Sequence, residues 1–529
     1  MNSMPLALKS LLIYLICIPL ALFLGFQVTD LAYLSRDSML MVGAVLLVLI
    51  TPLLLKWHRP LTFFFLNASA YAFFLPGRPK LGLVLVAISL MISVLQRTVQ
   101  HRSRFIRAPE ITWPLLAVMV VVLATMMLRG GLGFNAFGSK TVGGSRYLML
   151  LLGTFSFYAL TAQPIPRERA HAYTALFFLG GVTMVVGDLF AFASPAFYPI
   201  FLLFPPSGEG GIRSGEMEIG VTRLIGVAMM CGAVFRYMLA RYGLGQILAG
   251  ASKFRLLLFL GLAGVSLLGG FRTVMIALAL LFGITFFLEK LHRTRLVVPV
   301  LVGGVLVAVL TVAMLPKMPF AVQRALSFLP LDVDPEVKMS ASGSSEWRIE
   351  MWKSVWPELP NYLLLGKGLG FSEEDYMAIT NVDMMARTPD HWMWAVITGD
   401  FHNGPLSVVL TFGLWGLIAF IWLHVAGARA LYMNYRYGDP ELRSVNTYVF
   451  SSYLAQLVMF WFVFGAMYSE TVIFVSLLGF SVAINNGICR PQGVPQVAVP
   501  LRGVKGPPTP IQPEIRPAGL MVKVRERET

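Results

Sequence analysis

The side chains best suited to chemistry gather between residues 345 and 403. Ser345-Glu346-Trp347-Arg348 leads through Trp352 to Trp356-Pro357, then come Gly366-Lys367-Gly368-Leu369-Gly370 and Asp400-Phe401-His402-Asn403, directly ahead of an apolar run. Upstream, Arg223 and Arg272 each open an apolar run of their own. A guanidinium stays charged and donates in a fork to phosphate oxygens, so arginines at helix ends suit an anion such as a diphosphate. An imidazole titrates near neutral pH and can take the proton of an attacking hydroxyl. Each residue also has a plainer reading. Arginine near a helix end can snorkel to the interface, and a histidine there can anchor to a backbone carbonyl.

Within this set His402 is the first candidate base. His391, in Pro389-Asp390-His391-Trp392, ranks second because no helix start follows it. Asp400 stands two residues before His402, where an extended chain puts both on one side, so it can orient the ring or act as base itself. Residues 345–356 read as an amphipathic helix with Ser345 as N-cap and Pro357 as its stop. Arg348, Trp352 and Trp356 would share one face of it. The plain reading is a helix lying on the membrane, and the sharper one adds Arg348 as a third anion ligand. The glycines at 366, 368 and 370 miss the dinucleotide-binding spacing and read as a turn with positive φ angles. Asp332-Val333-Asp334 lies between prolines in loop-like sequence and is not expected to hold a metal. Gly413-Leu414-Trp415-Gly416 reads as a site of close helix packing.

The elements that must position these residues are membrane helices. Hydrophobic residues make up 57% and charged ones 13% of the 529, with mean hydropathy +0.71. An ordinary soluble domain has roughly twice that charged share. The expected fold is all-α, a polytopic bundle of about 12–14 spans of roughly 20 residues each. Residues 1–315 form an N-terminal bundle of about 11 spans, 316–402 a large loop with short helices, and 403–489 the C-terminal spans. Among the expected spans are 11–26, 38–55, 61–76 and 172–193. Residues 490–529, with eight prolines after Arg490, read as a disordered basic cytoplasmic tail. Lys9 before the first apolar run, with no small-residue cleavage site after it, indicates an uncleaved first span.

Basic residues cluster in alternate short connections, for example Arg97, Arg102, Arg104 and Arg107, then Arg236, Arg241, Lys253 and Arg255. The positive-inside rule then puts both termini in the cytoplasm and the 316–402 loop outside, on the side where Arg223, Arg272 and His402 open their helices. The net charge of +15 is thereby assigned to topology and lipid headgroups, and no nucleic-acid partner is expected. Cys17, Cys231 and Cys489 lie in or beside apolar runs, so no disulfide framework is implied.

The order of the motifs resembles the O-antigen ligase and O-antigen polymerase family of bacterial membrane glycosyltransferases. That pattern is an Arg-bearing helix with a downstream Trp (Arg348, Trp352), a Gly-x-Gly elbow (Gly366, Gly368 and Gly370), and a His-Asn pair (His402, Asn403) at the start of a Gly-bearing helix. The resemblance implies a glycan donor on undecaprenyl diphosphate, with outer-face arginines (Arg223, Arg272, Arg348, with Asn403) on the diphosphate and His402, aided by Asp400, as catalytic residues. It also implies metal-independent chemistry without cofactors, in the inner membrane with the site facing the periplasm. The acceptor would be lipid A-core, a growing polysaccharide or a protein. The other class considered is a lipid-linked glycan transporter or flippase, which predicts ionisable residues deep in the spans, Asp188 being the main candidate.

Overall fold

The computed structural model describes residues 36–75, 77–100, 105–131, 133, 141–191, 193–206, 224–250, 252–372, 375 and 393–491. The chain divides into two units, Met1–Arg490 and Pro491–Thr529. The expected first span, Arg223, His391 and, beyond Pro491, the Pro-rich tail lie outside the described residues.

The fold is an all-α polytopic bundle. Six helical stretches among the described residues are long and apolar enough to cross a membrane: Leu81–Val99, Pro109–Arg129, Arg167–Phe190, Val297–Lys317, Gly404–Tyr437 and Met467–Ile484. Shorter helices lie between them, including Gly144–Leu160, Ile225–Tyr242, Lys253–Ser266, Arg272–Leu288 and Arg443–Val458. None of the residues of Val297–Met314 is buried, although it is the most apolar helix of the set. Such a surface is tolerated only against hydrocarbon.

The expected span 38–55 runs on into the first five residues of the expected span 61–76 as one helix, Arg36–Phe65, and residues 66–75 are not helical. Pro52 and Pro60 do not stop it, since neighbouring helices can satisfy the backbone groups a proline frees. The expected span 172–193 is interrupted by a tight 3-10 turn at Gly180–Thr183.

The two halves of the chain interleave. Helix Gly404–Tyr437 packs on Pro109–Arg129, and Met467–Ile484 packs on Gly144–Leu160. Their seam is aromatic: Phe177 stacks on Phe480 with centroids 4.6 Å apart, and Phe178 meets Tyr448 edge-on at 4.9 Å. The 316–402 segment carries a long helix, Pro335–Val355, which starts ten residues before the expected Ser345. Asp334 caps it, accepting from Glu336 N at 2.9 Å, with Pro335 at the first helical position. Ser345 lies in mid-helix. The buried side of the helix runs through Val337, Ala341, Met351 and Val355, while Trp356 is 66% exposed. The expected Arg348–Trp352–Trp356 face is therefore rotated, because the helix packs against its neighbours and not on a flat surface. A small apolar cluster of Met351, Val355, Ala395, Phe401, Leu406 and Leu410 fastens this helix to the start of Gly404–Tyr437.

Candidate active site

His402 sits between two helix caps. Helix Met393–Thr398 ends in a Schellman motif: Gly399, at φ 70°, donates to Val396 O at 3.2 Å, and Asp400 N donates to Ala395 O at 2.9 Å. Asn403 then caps the next helix, its Oδ1 accepting from Leu406 N at 3.0 Å. Between these caps His402 takes a left-handed conformation, φ 50°, uncommon for a residue with a side chain and typical of constrained sites. Asn403, expected as a substrate ligand, has its oxygen committed to the cap. The Trp352 indole donates to Phe401 O at 2.8 Å, tying the long loop helix to the same turn.

The His402 ring is walled by Trp347, at 5.1 Å, and Phe464, at 4.9 Å, both edge-on. Phe464 follows a π-helical turn, Met459–Val463, which displaces it from the regular helix register. Ring atom Nδ1 lies 2.9 Å from Asp400 O and 3.3 Å from Asp400 Oδ1. Both neighbours are acceptors, so Nδ1 carries the proton and Nε2 is the basic nitrogen of the neutral ring. The two side chains are only 12% and 20% exposed. Burial pushes the Asp400 carboxyl upward, but its hydrogen bond with His402, the His402 charge and Arg146 outweigh this and hold it below the ordinary carboxylate range.

Arg348 stands on the same aromatic wall, 5.3 Å from the Trp347 ring and 6.0 Å from that of Phe464. Its Nε is buried and makes no hydrogen bond within the described residues. Burial and then the charge of Arg272 lower its pKa, partly offset by Asp400. Arg272 opens helix Arg272–Leu288 and reaches the loop helix, donating to Ala341 O at 3.2 Å and Ser345 Oγ at 3.1 Å. Two like charges thus adjoin beside the histidine, a costly arrangement in the absence of an anion. Arg223 lies outside the described residues; its neighbour Leu224 donates to Leu268 O at 3.3 Å, on the turn that leads to Arg272. Of the residues expected to act together, the structure brings Arg272, Arg348, Asp400, His402 and Asn403 to one place.

The glycine elbow positions this site from the far side. Helix Gly404–Tyr437 is broken at Gly413, φ 64° and ψ −164°. Residues 363–368 supply the bonds lost there: Lys367 N donates to Leu410 O at 2.7 Å, Gly368 N to Thr411 O at 2.9 Å, and Leu414 N to Leu363 O at 2.8 Å. A Cβ at Gly366, φ 73°, would lie 2.2 Å from Thr411 O, and one at Gly413 2.4 Å from Leu364 O. The positive φ expected for the elbow is present at Gly366, 73°, and Gly368, 82°, and not at Gly370. Gly413, expected to serve helix packing, instead admits the elbow into the helix break.

Several contributors escaped the sequence reading. Arg324, 8% exposed, clamps Gly270 O at 3.0 Å and Ser340 Oγ at 3.1 Å. Trp347 and Phe464 wall the histidine, and Arg146, from a distant helix, donates to Thr398 O with its guanidinium 5.3 Å from the Tyr468 ring. Only Trp347 had a visible signal, as the neighbour of Arg348. Asp188, the residue a transporter would have used, accepts from Gly226 N at 2.5 Å and so holds the first turn of helix Ile225–Tyr242.

No curated protein matches the chain significantly. Residues 256–421 match the sequence model of a family described as O-Antigen ligase. That span starts before Arg272 and includes Arg348, the glycine elbow, Asp400, His402 and the helix break, so in a multi-pass membrane chain the segment that carries the candidate site is the part similar to the O-antigen ligase family.

Proposed function

We propose that this protein is a membrane glycosyltransferase that moves a glycan from undecaprenyl diphosphate to an acceptor at the periplasmic face of the inner membrane. The observation that carries the reading is the adjacency of Arg272 and Arg348, with a buried unbonded Nε on Arg348, beside a histidine fixed in one tautomer. A diphosphate satisfies both guanidinium groups, and Arg272 at the first turn of its helix adds the partial positive charge of that terminus. The acceptor hydroxyl oxygen attacks the anomeric carbon and the bond from that carbon to the diphosphate oxygen breaks. The electron pair leaves with the lipid diphosphate, and the hydroxyl proton passes to His402 Nε2. Charge grows on the leaving group at the arginines, where fixed donors lower the barrier most. The acceptor is lipid A-core, a growing polysaccharide or a protein.

The test is release of polyprenyl diphosphate by the protein in lipid vesicles, with a polyprenyl-diphosphate-linked oligosaccharide as donor and acceptor-bearing membrane extract added. His402→Gln should still bind the donor but release product at least about 100-fold more slowly, in the usual range for loss of a general base. Arg348→Ala should weaken donor binding. Wild-type rates in His402→Gln would remove the base assignment.

A further inference from the structure

Three consecutive leucines lead into the glycine elbow, and all three are exposed: Leu363, Leu365 and, at 62%, Leu364. No charged residue lies between Leu359 and Gly366. Two membrane spans mark the level at which the leucines sit. Leu363 O accepts from Leu414 N at the break in Gly404–Tyr437. Beyond that break the helix runs on from Leu414 to Tyr437, about 36 Å of helix against about 30 Å of hydrocarbon. On the other side, Gly366 O accepts from Arg129 Nε at 2.8 Å and Leu365 O from Thr125 Oγ1 at 3.5 Å. Arg129 closes the span Pro109–Arg129, and Thr125 lies one turn inside it. The leucines belong to the 316–402 loop, yet they are level with the last turn of one span and the start of the unbroken part of another.

We propose that this elbow is a re-entrant membrane contact, with Leu363, Leu364 and Leu365 entering the acyl chains of the leaflet on the loop-bearing side. Two independent observations support lipid as the partner. The first is continuity with the lipid-facing side of a span: Leu414 and Trp415 are exposed directly beside the break, and Ile418 and Val425 carry the same stripe further along the helix. The second is the backbone. Non-helical backbone at membrane depth is tolerated only where protein satisfies its polar groups. Besides the bonds to Leu414, Arg129 and Thr125, Gly366 N donates to Tyr362 O at 2.8 Å, and Lys367 N and Gly368 N use the carbonyls of Leu410 and Thr411. The exposed indoles of Trp356 and Trp415 suit the headgroup boundary, and Arg129 can keep its charged end there while its stem lies along apolar surface. From Gly404 to Gly413 the helix rises about 13 Å. On the glycosyltransferase reading, the immersed elbow thus fixes the height of His402 above the leaflet, close to where a lipid-linked diphosphate would stand.

The test is spin-label accessibility of the full chain in phosphatidylethanolamine and phosphatidylglycerol vesicles, in a background of Cys17→Ala, Cys231→Ala and Cys489→Ala. Leu364→Cys carries the nitroxide, and Leu365→Cys repeats the measurement at a second position. Two labelled sites calibrate it: Ile418→Cys on the lipid-facing stripe and Ser342→Cys on the exposed side of the loop helix. Oxygen concentrates in hydrocarbon, whereas a polar nickel chelate is excluded from it. Both elbow labels should therefore match Ile418→Cys and exceed the oxygen-to-nickel collision ratio of Ser342→Cys by at least about tenfold, a modest fraction of the cost of moving a polar solute into hydrocarbon. Elbow labels that rank with Ser342→Cys would put the segment in water and overturn the proposal. Labels shielded from both reagents would mean that protein, such as a second copy of this chain, covers the leucines, and would overturn it as well. No donor or acceptor is present, so loss of the glycosyltransferase reading leaves this outcome untouched.

Discussion

Arg272 and Asp400 show how charge is held at the level of single residues. Arg272 makes two directed bonds to the loop helix, to Ala341 O and Ser345 Oγ. A lysine keeps the charge but cannot span both acceptors and an anion in one plane. Arg272→Lys should therefore lose at least about tenfold in transfer rate, one lost charge-assisted bond, and a rate equal to wild type would show that a point charge suffices. Asp400 gives a pH prediction. Its folded carboxyl is held below the ordinary value of 3.8. A depressed carboxylate contributes stability that is complete above the unfolded value and is lost as pH falls through the folded one. The unfolding-temperature gap between wild type and Asp400→Asn should thus be constant above about pH 5 and narrow below about pH 4, bracketing the unfolded carboxylate pKa. A gap that widens toward acid would contradict the sign.

At the scale of elements, the site depends on a helix that is broken on purpose and a turn that is capped twice. Gly413→Ala puts a methyl 2.4 Å from Leu364 O at a positive φ, where no small side-chain movement relieves the contact. The cost should be at least about 2 kcal/mol, read as a lower unfolding midpoint in detergent with the elbow displaced. Asn403→Ala keeps the helix and removes one cap bond, costing about 1 kcal/mol. Its larger effect should be on transfer rate, since the cap fixes the residue next to His402. If Asn403→Ala lowers stability and leaves the rate unchanged, the cap serves folding alone.

The largest scale asks which way the molecule faces. His402 and Arg272 stand on the loop-bearing side, at the starts of their helices, so the proposed chemistry requires the loop to be periplasmic. A reporter inserted at Lys338, on the exposed side of the loop helix, should be active as alkaline phosphatase and silent as a cytoplasmic reporter. The reverse result would separate the site from its donor pool. The bare helix Val297–Met314 adds a physical point: its uncovered apolar surface would aggregate in water, so the bundle described here is complete only within a bilayer.

Sequence alone determined the membrane class, the all-α fold and the segment that holds the candidate site. Long uncharged runs have no other stable solution in a bilayer, and helix-end arginines and a His-Asn pair are local features. The positive φ angles of Gly366 and Gly368 were also legible, because glycine spacing is a local constraint, whereas Gly370 does not share them. Tertiary structure alone decided where the loop helix starts, since Asp334 and Pro335 form a better cap than Ser345, and which of its faces is buried. It also decided that Gly413 opens a helix to receive residues 363–368, and that Arg146 and Tyr468, 322 positions apart in the chain, meet with the guanidinium 5.3 Å from the ring. Those outcomes depend on which helices lie side by side, and pairing among many similarly apolar helices is set by shape and by a few buried polar groups that periodicity cannot register.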